Sequence, residues 1–148
     1  MTMGVPPPGR VATVSAFWTL PGEAGYCPCA RAMTRAALSD VPRVAEDAEL
    51  VVAELFSNGC RHTRSGEAGG SIDLSVNLLA DGLTLVSVAD EGPPWSAPGL
   101  RPLLPALPPS SPLRTGLRGL RLVASVSDEW GCDGNERGGH TVWAAFRP

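Results

Sequence analysis

Apolar residues recur every three or four positions in one stretch of the chain. Val44, Ala48, Val51, Val52, Leu55 and Phe56 keep that spacing, which predicts an amphipathic helix from about Val44 to His62. Elsewhere the period is two. Ile72, Leu74, Val76 and Leu78 alternate with Asp73, Ser75 and Asn77, the pattern of a strand with one face buried and one solvated. Asp81-Gly82 is a hairpin signal, and Leu83 to Ala89 is the strand it returns. Upstream, Val11 to Trp18 is rich in β-branched and aromatic residues and reads as a first strand, broken at Pro21-Gly22. Pro28 to Ser39 has good helix propensity, with Ala32, Met33, Ala36 and Leu38 available to bury, and Asp40-Val41-Pro42 ends it. Arg64 to Gly70 is a polar, glycine-rich turn. Near the C-terminus, Gly116 to Val126 reads as a helix with Leu117, Leu120, Val123 and Ala124 inward. Asp128 to Cys132 and His140 to Phe146 read as closing strands joined at Asp133-Gly134.

Two segments have no periodicity. Residues 1–10, with Pro6-Pro7-Pro8-Gly9, form an expected flexible tail. Pro93 to Arg114 carries eight prolines and is excluded from any core element. The order is then strand, helix, helix, hairpin, proline-rich loop, helix, hairpin. Helices gathered on one face of a mostly antiparallel sheet make an α+β two-layer sandwich. The expected organisation is a single domain over 11–148, with no internal repeat.

Composition narrows the function classes. The chain has 148 residues, 43% hydrophobic and 18% charged, enough for one soluble domain with a real core. A net charge of −3 supplies no basic field, which argues against direct nucleic-acid binding. No apolar run is long enough to span a membrane and no signal-peptide h-region opens the chain, so a cytoplasmic location is expected. All twelve basic residues are Arg. The absence of Lys excludes a P-loop and the lysine-dependent protein-kinase strand. Cys27, Cys29, Cys60 and Cys132 are too few and too irregular for a disulfide framework. A metal site from Cys27, Cys29 and His62 lacks the usual ligand spacing, and reduced thiols are the simpler account.

Candidate chemistry sits on the long helix. Glu54, Asn58 and His62 are four residues apart and fall in one polar stripe beside the apolar one. On spacing alone this is a solvated helix face. The same spacing also sets a carboxylate able to act as general base beside a hard amide oxygen of the kind Mg²⁺ accepts, and the motifs downstream bear on which reading holds. Two further motifs follow in order. Asp90-Glu91-Gly92 closes a strand, and Thr115-Gly116-Leu117-Arg118-Gly119-Leu120 opens a helix.

Together, Glu54-Leu55-Phe56-Ser57-Asn58-Gly59-Cys60-Arg61-His62-Thr63 and these two motifs resemble the GHKL, or Bergerat-fold, ATPases: histidine kinases, type II topoisomerases, Hsp90 and MutL. The wording is most similar to the small bacterial anti-sigma-factor serine/threonine kinases of that superfamily, over about Val11 to Phe146. The resemblance implies ATP and Mg²⁺ as cofactors, Glu54 as catalytic base and Asn58 as metal ligand. It further implies Asp90 as acceptor of the adenine amine, Gly92 beside the base, and an ATP lid over 93–115. Arg114, Thr115, Gly116, Arg118, Gly119 and Leu120 are the implied phosphate-binding segment, where bare helix amides and guanidinium forks suit an anion.

Two departures from the family pattern are visible. Pro94 replaces a frequent second glycine. In the third motif either Leu117 stands in for the first glycine or one residue is inserted between Gly116 and Gly119. Trp95, the lid's one aromatic, is suited to a nucleotide, a partner or the core edge. His62 reads as a packing or helix-end residue. The implied partners are a STAS-type anti-anti-sigma protein and a sigma factor, and frequent dimerisation in the family admits a homodimer. Two other classes stay open: an ATP-binding regulator without kinase activity, and an interaction-only sandwich domain.

Overall fold

The computed structural model describes residues 11–92, 117–134 and 138–148. The expected tail at 1–10 and lid at 93–115, including Trp95, lie outside the described residues. Five strands form one antiparallel sheet: β1 (Ala12–Pro21), β2 (Ser71–Leu79), β3 (Thr84–Asp90), β4 (Glu129–Gly134) and β5 (His140–Phe146). Their spatial order is β1-β2-β3-β5-β4. Three helices, α1 (Cys27–Ala37), α2 (Pro42–His62) and α3 (Leu117–Val126), complete the α+β two-layer sandwich.

The helices start where local chemistry allows. Pro28 and Pro42 occupy the first turns of α1 and α2, where a missing amide is harmless and the fixed φ is already helical. Thr63 ends α2: its hydroxyl donates to Gly59 O at 2.6 Å and accepts from Ser65 N at 3.1 Å. That bond turns the chain at once into a 3-10 turn, Arg64–Gly66.

The core lies between the sheet and α2. Ala48, Val51, Val52 and Phe56 are fully buried against Ile72, Leu74, Val76, Val86 and Ala144. Register fixes this face: Ala16, Val76, Val86, Ala144 and Trp130 stand in one cross-strand row. α2 is tied to α1 by Glu49, whose carboxylate takes both Nε (2.9 Å) and Nη2 (2.5 Å) of Arg35.

Three expected faces are corrected. In α1, Ala32 and Ala36 are exposed, while Ala30 and Thr34 point inward. Thr34 is tolerated there because its hydroxyl bonds back to Ala30 O at 2.8 Å. In α3, Leu120 and Val123 are buried but Ala124 is exposed. In β2, Ser75 and Asn77 are 2% and 0% exposed rather than solvated. β2 is an interior strand, and Ser75 lies in a row with Phe17, Ser87 and Trp143. The two serine hydroxyls hydrogen-bond each other, and Ser15 Oγ donates to Asn77 Oδ1 at 2.9 Å.

Candidate functional site

α2 presents Glu54 and Asn58 one turn apart, both half-buried, beside the fully apolar stripe that anchors the helix. Anchoring by Val51, Val52, Leu55 and Phe56 fixes the rotation of the helix, so the polar pair has one direction to face. Asn58 Oδ1 accepts from Arg61 Nη2 at 3.2 Å. His62, the third member of the expected stripe, is exposed at the last residue of the helix.

Gly59 brings this stripe to the second motif. A Cβ on Gly59 would stand 2.8 Å from Ile72 Cδ1 and 3.7 Å from Asp90 Cβ, so the helix rests flush on the end of β3. Asn58 and Asp90 therefore belong to the same edge of the sandwich. Glu54 lies one turn further along it.

Asp90 is the last residue of β3 and pairs in register with His140 of β5. Its Oδ1 accepts from Gly92 N at 2.7 Å. Burial pushes its carboxyl from an ordinary 3.8 to about 6, against the amides of Gly92 and His140 and the Arg64 charge, which pull it back; Glu91 adds to the rise. His140 Nδ1 lies 3.8 Å from Asp90 Oδ1 and adds a positive charge only when protonated. A largely buried carboxylate at a strand end, already partly satisfied by backbone amides, is a hydrogen-bond acceptor held in a fixed place.

Gly92 has a requirement of its own. Its φ is +87°, and a Cβ there would meet Gly138 O at 1.8 Å. The turn thus packs directly on the backbone of the segment leading into β5, which is a packing reason for glycine beside the one the family resemblance implies.

Of the third motif, Leu120 is buried in the core against α2, so its side chain serves packing. Arg118 and Gly119 lie in the first turn of α3. Arg114, Thr115 and Gly116 lie outside the described residues. Residues absent from the sequence expectation stand around Asp90. Arg64, Ser65 and His140 reach it or its turn, and only the β3–β5 register and contacts across 26 or 27 positions bring them there. No local spacing signals them.

Among the described residues no group of three His, Cys, Asp or Glu is arranged to hold a metal, Cys27, Cys29 and His62 included. A metal here would draw most of its ligands from phosphate and water, as Mg²⁺ does, with the Asn58 amide oxygen as a protein ligand. Cys132 is pushed up to about 11 by burial and by nearby Asp133 and Asp90, and Cys60 is raised by burial and Cys27, so both are protonated thiols at neutral pH. No helix among the described residues is long and apolar enough to cross a membrane.

The family model for the histidine kinase-like ATPase domain matches residues 21–146. Among solved structures, the chain is similar to the SiaB–SiaC complex from Pseudomonas aeruginosa. The TM-score is 0.65 at 17% identity, over 90% of this chain and 89% of that one. It is also similar to the structure of the RsbU and RsbW domains of a Mycobacterium tuberculosis protein. There the TM-score is 0.62 at 17% identity, over 89% of this chain and 32% of that one. At such identity the likeness is one of fold. No curated protein matches the chain.

Proposed function

Because the chain belongs to the histidine kinase-like ATPase family, we propose that it binds Mg²⁺-ATP and phosphorylates a serine or threonine of a STAS-type anti-anti-sigma partner, sequestering a sigma factor in the cytoplasm. The observation that carries this reading is the packing of Gly59 on Asp90, 3.7 Å from the missing Cβ. It brings Asn58 and Asp90 to one edge of the fold with Glu54 one turn along α2, which supports reading the three as metal ligand, base reader and catalytic base. A solvated helix face has no use for that convergence. The regulatory setting is supported by the fold shared with a structure containing an RsbW domain and with that of the SiaB–SiaC complex.

Asp90 would accept the exocyclic amine of adenine, which guanine replaces with a carbonyl oxygen that the carboxylate repels. Asn58 would hold Mg²⁺, and the third motif, Arg118 included, is our reading of the phosphate-binding segment. Bound Mg²⁺-ATP supplies the phosphoryl group and neutralises its developing charge. Glu54 accepts the proton of the partner's hydroxyl as that oxygen bonds to phosphorus and the bond to ADP breaks. A regulator that binds nucleotide without transferring phosphate is the second reading, favoured by the irregular glycine spacing at Gly116 and Gly119. Single-turnover transfer from labelled ATP to each STAS protein encoded with this chain tests the choice. Labelled partner supports the kinase. ATP binding with no labelled partner supports the non-catalytic regulator.

A further inference from the structure

The turn that carries Asp90 is held from outside by two residues, and neither belongs to the three motifs. Arg64 N donates to Gly92 O at 2.8 Å. The Arg64 guanidinium donates through Nη2 to Glu91 O. Ser65 Oγ accepts from Glu91 N at 2.9 Å. The carbonyls of Glu91 and Gly92 and the Glu91 amide are thus engaged by residues 64–65, one residue beyond the end of α2. The Glu91 side chain adds a fourth tie, accepting from Ser71 N at 2.7 Å. On the other side, Gly138 comes close enough that a Cβ on it would stand 3.6 Å from Arg64 Nη2.

We propose that Arg64 is a positioning residue for the nucleotide: its amide and guanidinium clamp the Asp90-Glu91-Gly92 turn to the end of α2, so that the base reader and the metal-binding helix move as one body. This rests on the nucleotide reading above. Two functions meet in the one side chain. The guanidinium fixes the Glu91 carbonyl through Nη2, which sets the turn geometry. Its charge also stands beside a buried carboxylate and favours the ionised form that accepts a hydrogen bond from an amine. Among the described residues, charged and titratable groups stand beside Asp90 from several elements. Arg64 comes from the turn after α2, Glu91 from its own turn, His140 from β5, and Cys132 from β4. Among them Arg64 is the permanent cation.

The test is titration of ADP with Mg²⁺ between pH 5.5 and 8 into wild type, Arg64→Gln and Arg64→Lys, with the Asp90 carboxyl followed by NMR over the same range. Arg64→Gln should weaken ADP roughly tenfold at pH 7.5, about the effect of losing one hydrogen bond from a charged group. The loss should grow toward pH 6, and the Asp90 midpoint should move up. Arg64→Lys, with charge but no fork, should restore the midpoint and leave affinity weakened at pH 7.5. It should also melt near wild type, so misfolding of the Gln variant does not decide the matter. Titration of the nucleotide's own phosphates is common to all three proteins and cancels in the comparison. ADP affinity within twofold of wild type for Arg64→Gln at every pH overturns the proposal. So does a weakening that is the same at every pH with the Asp90 midpoint unmoved, the signature of general loosening. If wild type itself binds no ADP while Arg64→Gln still moves the Asp90 midpoint, the nucleotide reading fails and the positioning role falls with it. If wild type binds and Arg64→Gln matches it, the positioning role alone fails.

Discussion

Gly59 lies flush against Asp90, with only 3.7 Å between the Cβ of the aspartate and the place where a glycine Cβ would be. A long helix and a strand end meet there without an intervening side chain. The residue before Gly59 is Asn58, so the contact brings together two candidate site residues that lie 32 positions apart in the chain. Asp90 is most of the way out of water, and that has a consequence for stability.

Asp90→Asn is expected to stabilise the nucleotide-free protein at pH 7.5 while abolishing nucleotide binding. The folded carboxyl titrates near 6 and the unfolded one near 3.8. Between those values the folded state holds more protons, so stability falls as pH rises through the window. The full penalty applies above pH 6 and is absent below about pH 3.8, and its size is on the order of 3 kcal/mol. Urea unfolding of both proteins at pH 4 and pH 7.5 checks this. The variant should gain on wild type only at the higher pH. A variant less stable than wild type at pH 7.5 contradicts the burial argument.

Gly92→Ala should be severe and Gly134→Ala mild. At Gly92 a side chain must adopt φ +87° and displace backbone at Gly138. Strain and a backbone clash together put the loss at roughly 3–4 kcal/mol. At Gly134 the nearest atom to a new Cβ is 3.9 Å away, so the change should stay within about 0.5 kcal/mol. Melting curves of the two variants give the comparison.

Much of this fold is legible in the sequence, because period 3.6 in α2 and the Asp81-Gly82 turn are local signals. The errors have a common cause. Ala32 and Ala36 were expected inside for being apolar, yet Thr34 takes the inward position by satisfying its own hydroxyl within the helix. Ser75 and Asn77 were expected outside for being polar, yet an interior strand flanked on both sides buries them, with Ser75 Oγ and Asn77 Oδ1 hydrogen-bonded across strands. In the site, Glu54, Asn58 and Asp90 are recognisable because their motifs are contiguous. Arg64, Ser65 and His140 are not, because they act through turn geometry and strand register, which depend on partners many residues away.

Removing the base and removing the metal ligand should have different signatures. Glu54→Gln keeps the shape but accepts no proton, so phosphoryl transfer should fall about 10²- to 10⁴-fold with nucleotide affinity little changed. Asn58→Ala should weaken Mg²⁺-nucleotide binding and transfer together. Stopped single-turnover transfer beside equilibrium binding separates them. Wild-type rates in Glu54→Gln contradict the assignment of the base.

The thiols should be quiet. Cys132 and Cys60 are held protonated by burial, so at pH 7.5 an aromatic disulfide reagent should react with both far more slowly than with a free thiol. All four cysteines are free, and in denaturant all four should react promptly. Fast labelling of Cys132 in the native protein would mean that the β4 region opens readily.

The central claim is that Asp90 and Asn58 together form a site for a magnesium-bound adenine nucleotide. Isothermal titration of the full chain with ATP and with GTP, each with Mg²⁺ and with EDTA, tests it most directly. The predicted result is saturable heat with ATP, weakened when the metal is removed, and at least tenfold weaker binding of GTP, since replacing an amine donor by a carbonyl sets an acceptor against the carboxylate. No heat with ATP, or equal affinity for the two nucleotides, contradicts it.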